Sequence, residues 1–378
     1  MTMQAMSADS HMDLFYLPKD AFLSRMDPVW GDRIPRVVLK AGAMVWASGG
    51  NTISPWGVYG PGVTGGKRGR ILVQEGFASG VARPSDPALR RADQERDGVE
   101  AEIIYGILGV SRGLMGHAGI SDTALLAAVY GAYNKYVADF GRTMPGRFFG
   151  LGCLPNHDPQ AAADEVRRCA ALGLKGAVFV PWGSAMPVWH EMWDPMWAAA
   201  AQADLVISFH VFEGGAATVP RAVNGATTKA SAGAWTCVAP MQMDEILCSV
   251  ILSGVCERHP RLRLVLGESG IGWLPYMLER LDDTYEERLS DDLQLPLPPS
   301  AYFKRQIYAT FQKDFHGVQA MMVIAPDNVM WGSDYPHRDG TWPFSQKAIE
   351  DQFRGVDEAI ARKMLWDNVR RVYRLGAS

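Results

Sequence analysis

At 378 residues the chain has room for two domains, although barrels of this size are common as one domain. Hydrophobic residues make up 48% and charged residues 21%, the mix of a globular protein with a large core. A formal charge of -4 and a pI near 6.1 argue against a nucleic-acid or membrane-surface binder.

The five cysteines (Cys153, Cys169, Cys237, Cys248, Cys256) are odd in number and hold no C-x-x-C pair. They read as reduced thiols of a cytoplasmic protein, some of them core filler. The first seven residues show neither the basic nor the apolar region of a secretory signal. No apolar run is long enough to span a bilayer.

In chain order, Ser7–His11 is a short strand candidate that delivers Asp9 and His11 on one face, because side chains two apart on a strand share a side. Residues 14–98 are weakly periodic and rich in Gly, Pro, Trp and Arg, an insertion of the kind that serves as a lid or an oligomer contact. A surface excursion without a catalytic role is an equal reading. From Val99 the rhythm is regular. Strands are expected at Val99–Leu108, Phe148–Leu154, Gly176–Val180, Leu205–Phe209, Leu262–Gly267, Ile307–Phe311 and Val329–Trp331. Between and after them, helices are expected over Asp122–Phe140, Pro159–Leu172, residues 192–203, Asp244–Arg258, Gly272–Leu289 and Asp357–Tyr373.

Most of the strand candidates are continuously apolar, the pattern of parallel strands covered on both faces. Eight of them alternating with helices predict an α/β fold, a (β/α)8 TIM barrel with a long insertion after its first strand, and one domain over 1–378. A doubly wound sheet is the runner-up, but no G-x-G-x-x-G follows the first strand.

Four strand ends carry side chains able to bind a metal: Asp9 with His11, His210, Glu268 and Asp334. Each has a plainer reading. Asp9 and His11 could be a solvated pair near a terminus, His210 a hydrogen-bonded core histidine, Glu268 a helix-start carboxylate, and Asp334 a turn cap. Their joint placement past the carboxyl ends of strands, where barrels keep their chemistry, favours one shared site. Imidazole and carboxylate donors without thiolate suit zinc, manganese or iron. His337 is a ligand or a loop brace. His157 and Trp182 follow the third and fourth strands and are candidate pocket residues. Arg83, Arg112 and Arg338 are candidates to grip a substrate carboxylate.

The segments Ser7-Ala-Asp9-Ser-His11, Phe209-His210, Gly267-Glu268-Ser-Gly-Ile-Gly-Trp-Leu-Pro275 and Gly332-Ser-Asp334-Tyr-Pro-His337-Arg-Asp-Gly-Thr-Trp-Pro343 resemble the amidohydrolase-related family, which includes the aminocarboxymuconate-semialdehyde decarboxylase group. The resemblance implies a barrel with a metal at its carboxyl-terminal mouth. It makes Asp9, His11, His210 and Asp334 ligands, with an acid-x-His pair where many members carry His-x-His. It also implies hydrolase or carboxy-lyase chemistry on a small organic acid or amide, with Asp334 moving protons and Glu268 or His337 assisting. Family decarboxylases place a histidine where this chain has Glu268. That departure resembles the branch of dinuclear iron or manganese–iron oxygenases such as the 2-aminoisobutyrate hydroxylase type, in which Glu268 would bind or bridge a second metal. A third reading is an inactive barrel that partners a related subunit. Either a homo-oligomer or a hetero-oligomer is compatible with these.

Overall fold

The computed structural model describes residues 3–57, 82–106, 108–111, 117–211, 222–223, 226–227, 229–337 and 339–376. Among them, eight strands form the barrel wall: β1 (Met6–His11), β2 (Ala101–Tyr105), β3 (Phe148–Gly150 and Gly152–Cys153), β4 (Gly176–Val178), β5 (Val206–His210), β6 (Leu264–Gly267), β7 (Ile307–Phe311) and β8 (Val329–Trp331). Each pairs in parallel with the next. The ring closes between β8 and β1, where Ser10 bridges Tyr335 in parallel and the Asp334 amide donates to the Asp9 carbonyl at 2.7 Å. The expected (β/α)8 barrel is therefore the fold.

Strand β5 shows why the apolar runs are continuous. Ile207 and Phe209 pack outward on the helices, while Val206 points inward and Ser208 reaches a hydroxyl in the lumen. Both faces are buried, so no polar alternation is left in the sequence. The lumen is filled by residues such as Met6, Ile103, Val178, Val265 and Met330. Its floor is stopped by Trp366, Val369, Val372 and Tyr373 of the closing helical segment. The Tyr373 hydroxyl sits 3.3 Å from that of Tyr105 and 3.2 Å from Ser208 Oγ.

The expected helices form with adjusted ends. Asp122 caps Thr123–Thr143 and Asp158 caps Pro159–Ala171, each accepting two backbone amides. The helix expected over Asp244–Arg258 is broken in two, Met243–Leu252 and Val255–Arg258, by Gly254 in the left-handed region at φ 77°. The described part of the insertion, residues 14–57 and 82–98, holds more regular structure than its sequence rhythm implies. Arg36–Lys40, Ala43–Ser48 and Asn51–Pro55 make an antiparallel meander, and Pro87–Asp97 is a capped helix. Trp46 and Trp56 of the meander donate their indole N–H groups to the carbonyls of Leu14 and Leu17, pinning it over the segment that follows β1.

Candidate metal centre

Asp9 and His11 lie at the end of β1, whose register with β2 slips between Ser7 and Ser10. His210 is the last residue of β5, Glu268 follows β6, and Asp334 lies three residues past the end of β8. All five turn toward one point at the barrel mouth. His11 Nε2 is 3.3 Å from Asp9 Oδ1 and 3.1 Å from Asp334 Oδ1. His210 Nε2 is 3.5 Å from Asp9 Oδ1 and 3.6 Å from Glu268 Oε2. His337 joins the cluster, its Nδ1 approaching Asp334 Oδ1 at 2.9 Å. Glu268 and Asp334 both have left-handed backbone, φ 51° and 54°, which a non-glycine residue adopts only where its surroundings hold it.

Among the described residues, Asp9 Oδ1, His11 Nε2, His210 Nε2 and both Asp334 oxygens are buried without a well-formed hydrogen bond. Buried polar atoms are ordinarily satisfied, so five orphans facing one another describe a place for a cation. The remaining atoms of the same side chains are well anchored. Asp9 Oδ2 accepts from the Glu268 amide and from Thr310 Oγ1, each at 2.8 Å. His210 Nδ1 lies 2.8 Å from the Val211 carbonyl, which fixes the tautomer that leaves Nε2 free to ligate. Asp9, His11 and His210 form one group of donors within metal-binding reach, and His11, Asp334 and His337 form another. Two imidazoles and two carboxylates fit a divalent zinc, manganese or iron ion.

The electrostatics agree with such an ion. Burial would raise the Asp9 carboxyl, but His210 and His11 beside it hold it below the usual carboxylate range. Asp334 is likewise lowered, burial being outweighed by His337 and His11. Glu268 goes the other way: burial and the nearby Asp334 charge push its carboxyl well up, favouring the protonated acid. Burial and His11 oppose a charge on His337, yet Asp334 and Asp13 push it up to about 10. Burial also opposes charge on His11, and Asp13 and Asp334 more than offset it.

The weaker sequence candidates fall elsewhere. Trp182 lines a small cavity at the carboxyl ends of β2, β3 and β4, with Leu108, Tyr130, Leu154 and Asn156. His157 is half-buried and its Nδ1 has no hydrogen-bond partner among the described residues, but it does not line that cavity. Arg83 makes a bidentate pair with Asp93 at 2.7 and 2.8 Å, so its fork is turned to the protein itself and not held open for a substrate. Arg112 and Arg338 lie outside the described residues. Two participants escaped the sequence reading. Thr310 tethers Asp9, and Asp13 contacts both His11 and His337. The alternation Asp9-x-His11-x-Asp13 carried a signal for the second of these.

Comparison with known proteins agrees with the geometry. A family model described as amidohydrolase matches residues 86–375. The gamma-resorcylate decarboxylase of Polaromonas sp. (strain JS666 / ATCC BAA-500) is 26% identical over 265 residues, covering 64% of this chain and 75% of that one. Among solved structures, an amidohydrolase from Mycobacterium avium subsp. paratuberculosis K-10 superposes with a TM-score of 0.77 at 19% identity, covering 100% of this chain and 99% of that one. A dihydroxybenzoic acid decarboxylase from Polaromonas sp. JS666, with bound manganese and the inhibitor 2-nitroresorcinol, gives 0.66 at 18% identity, covering 99% and 98%. With more than half of its length matched by that model and its donors gathered at the mouth of a closed barrel, this chain belongs to the amidohydrolase family.

Proposed function

We propose that the protein is a divalent-metal-dependent carboxy-lyase that releases carbon dioxide from a small aromatic acid. The observation that carries this reading is the set of five buried donor atoms on Asp9, His11, His210 and Asp334 that face one another and, among the described residues, lack well-formed hydrogen bonds. The relatives named above, two of them decarboxylases of hydroxybenzoic acids, support the reaction class.

Asp9, His11, His210 and Asp334 would hold the ion, which when bound supplies a positive charge to grip the substrate's oxygens and draw electron density from the ring. The residues supply the rest. Glu268, 16% exposed and favouring its neutral form, presents an acidic proton at the mouth. As the bond from ring carbon to carboxyl carbon breaks, its electron pair stays on the ring carbon, which takes that proton, and carbon dioxide departs. His337, 23% exposed and 2.9 Å from Asp334, is the route by which the proton is restored from solvent. We read the meander over residues 36–55, held by indole bonds to the segment after β1, as a lid.

The test is carbon dioxide release from a panel of hydroxybenzoates, beginning with gamma-resorcylate, by protein loaded with manganese or zinc. Turnover lost on chelation and restored by metal is expected. His210→Ala and Asp334→Asn are expected to abolish both activity and bound metal while the circular dichroism stays native. Fully loaded protein that releases no carbon dioxide from any member of the panel sinks the reading. A dinuclear oxygenase is the second reading, supported by the second donor group around His11 and by the extra carboxylate of Glu268. It requires two equivalents of iron or manganese per chain, which metal analysis counts directly. An inactive partner subunit would have no need of an intact donor set.

A further inference from the structure

Asp13 stands two residues past the end of β1, at the N-cap position of the short turn Leu14–Tyr16. An aspartate there ordinarily accepts a backbone amide of the turn. Its side chain makes no such capping bond. It is buried, and it faces two imidazoles instead: His11 Nδ1 lies 3.3 Å from its Oδ1, and His337 Nε2 lies 2.7 Å from its Oδ2. The two rings stack on each other with centroids 3.8 Å apart and planes 27° apart. One carboxylate thus holds two rings that both reach Asp334 through their other nitrogens, at 3.1 Å and 2.9 Å.

Burying a carboxylate is costly unless it is paired, and here both imidazoles pair with it. Its geometry does have a use. An imidazole can present a lone pair at Nε2 only when its proton sits on Nδ1, and a carboxylate accepting from Nδ1 fixes that choice, orients the ring and makes it a stronger donor. We propose that Asp13 is the positioning residue of the metal centre: it locks His11 with Nε2 toward the ion and holds His337 stacked against it and facing Asp334. The inference rests on the metal-centre reading given above. It assigns Asp13 no contact with the ion or the substrate.

The experiment compares wild type with the isosteric Asp13→Asn, using manganese(II) for affinity and cobalt(II) for its visible absorption bands. An amide has one acceptor oxygen and one donor NH2 where the carboxylate has two acceptor oxygens, so it cannot accept from both rings as Asp13 does. The expected result is metal affinity weaker by about 10- to 100-fold in the folded protein, with cobalt bands shifted in position or intensity. A role confined to folding would lower the melting midpoints of the metal-free and loaded forms alike and leave affinity and cobalt bands unchanged; that outcome overturns the proposal. Wild-type protein gives a second check that needs no variant. In the zinc-loaded protein, the ring nitrogen resonances of His11 must show a protonated Nδ1 and a zinc-bound Nε2, and the reverse assignment overturns the proposal. Failure of wild type to bind any of these metals would instead sink the metal-centre reading itself.

Discussion

Glu268 sits at the strand end where the family's decarboxylases are expected to carry histidine, and its backbone is left-handed at φ 51°. Such a conformation costs on the order of 1–3 kcal/mol and persists because its amide is held twice, by Asp9 Oδ2 and by Thr310 Oγ1. The strain fixes where the carboxyl group points, and burial with the Asp334 charge raises it well above the usual carboxylate range. Glu268→Gln retains the shape and removes the transferable proton. Turnover is expected to fall by about 10²- to 10⁴-fold with metal content unchanged. Steady-state kinetics run beside metal analysis check this; an equally active Gln variant would remove Glu268 from the proton path, and a variant that lost its metal would make it a ligand.

The loop after β8 carries Asp334 and His337, and the helix Pro87–Asp97 holds it from outside. Asp93 accepts from Tyr335 Oη at 2.7 Å and its carbonyl accepts from the Trp342 indole, while Asp97 accepts from the Ser345 amide at 2.8 Å. Arg90, fully buried, pairs with Glu102 on β2 and donates to the His11 carbonyl at 2.8 Å. At the other end of the loop Gly332 allows β8 to approach β1, since a Cβ there would stand 2.6 Å from Asp9 Cβ. Gly332→Ala is therefore expected to displace Asp9, destabilise the fold by about 1–3 kcal/mol and weaken metal binding, read by denaturant unfolding and metal titration. Unperturbed metal affinity would show that the two strands can part without moving the ligand. The strands, and the convergence of four donor-bearing strand ends, were legible because continuous apolar runs ended in conspicuous donors. The helix Pro87–Asp97 was not, because its buried residues are Arg90, Asp93, Gln94 and Asp97, a polar stripe sunk by ion pairing that apolar periodicity cannot find. Its signals were local: Asp86 as cap, Pro87 in the first turn and Gly98 at the end. Asp13 and Thr310 escaped for a related reason, since single polar residues acquire meaning only from what the closed barrel brings against them.

On the metal-centre reading proposed above, the whole molecule would couple its stability to the ion, because donors from β1, β5 and β8 meet only in the folded barrel. At free metal about 1,000 times its dissociation constant the native state gains about 4 kcal/mol, roughly 5 °C of melting midpoint for a chain of this length. Chelation is expected to remove that margin, and the margin depends on pH. In the metal-free protein burial disfavours charged His11, but Asp13 and Asp334 raise it above its ordinary value, while His337 reaches about 10. A raised value means that protonated imidazole stabilises the metal-free fold at low pH, an advantage lost as pH rises through that value. Protons and metal compete for the same nitrogens, so the gap between loaded and metal-free midpoints should widen with alkalinity and close as the solution is acidified. Calorimetric scans across a pH series measure it, and a gap independent of pH would exclude His11 as a ligand. The seam between Ser10 and Tyr335 joins the first strand of the barrel to its last. A ribosome must therefore have released almost the entire wall before the full set of donors exists, and a nascent or clipped chain ending short of Asp334 presents an incomplete grip. On the proposed ligand set, capture of the ion would fall at the end of biosynthesis, as a stamp of completeness that truncated products do not receive.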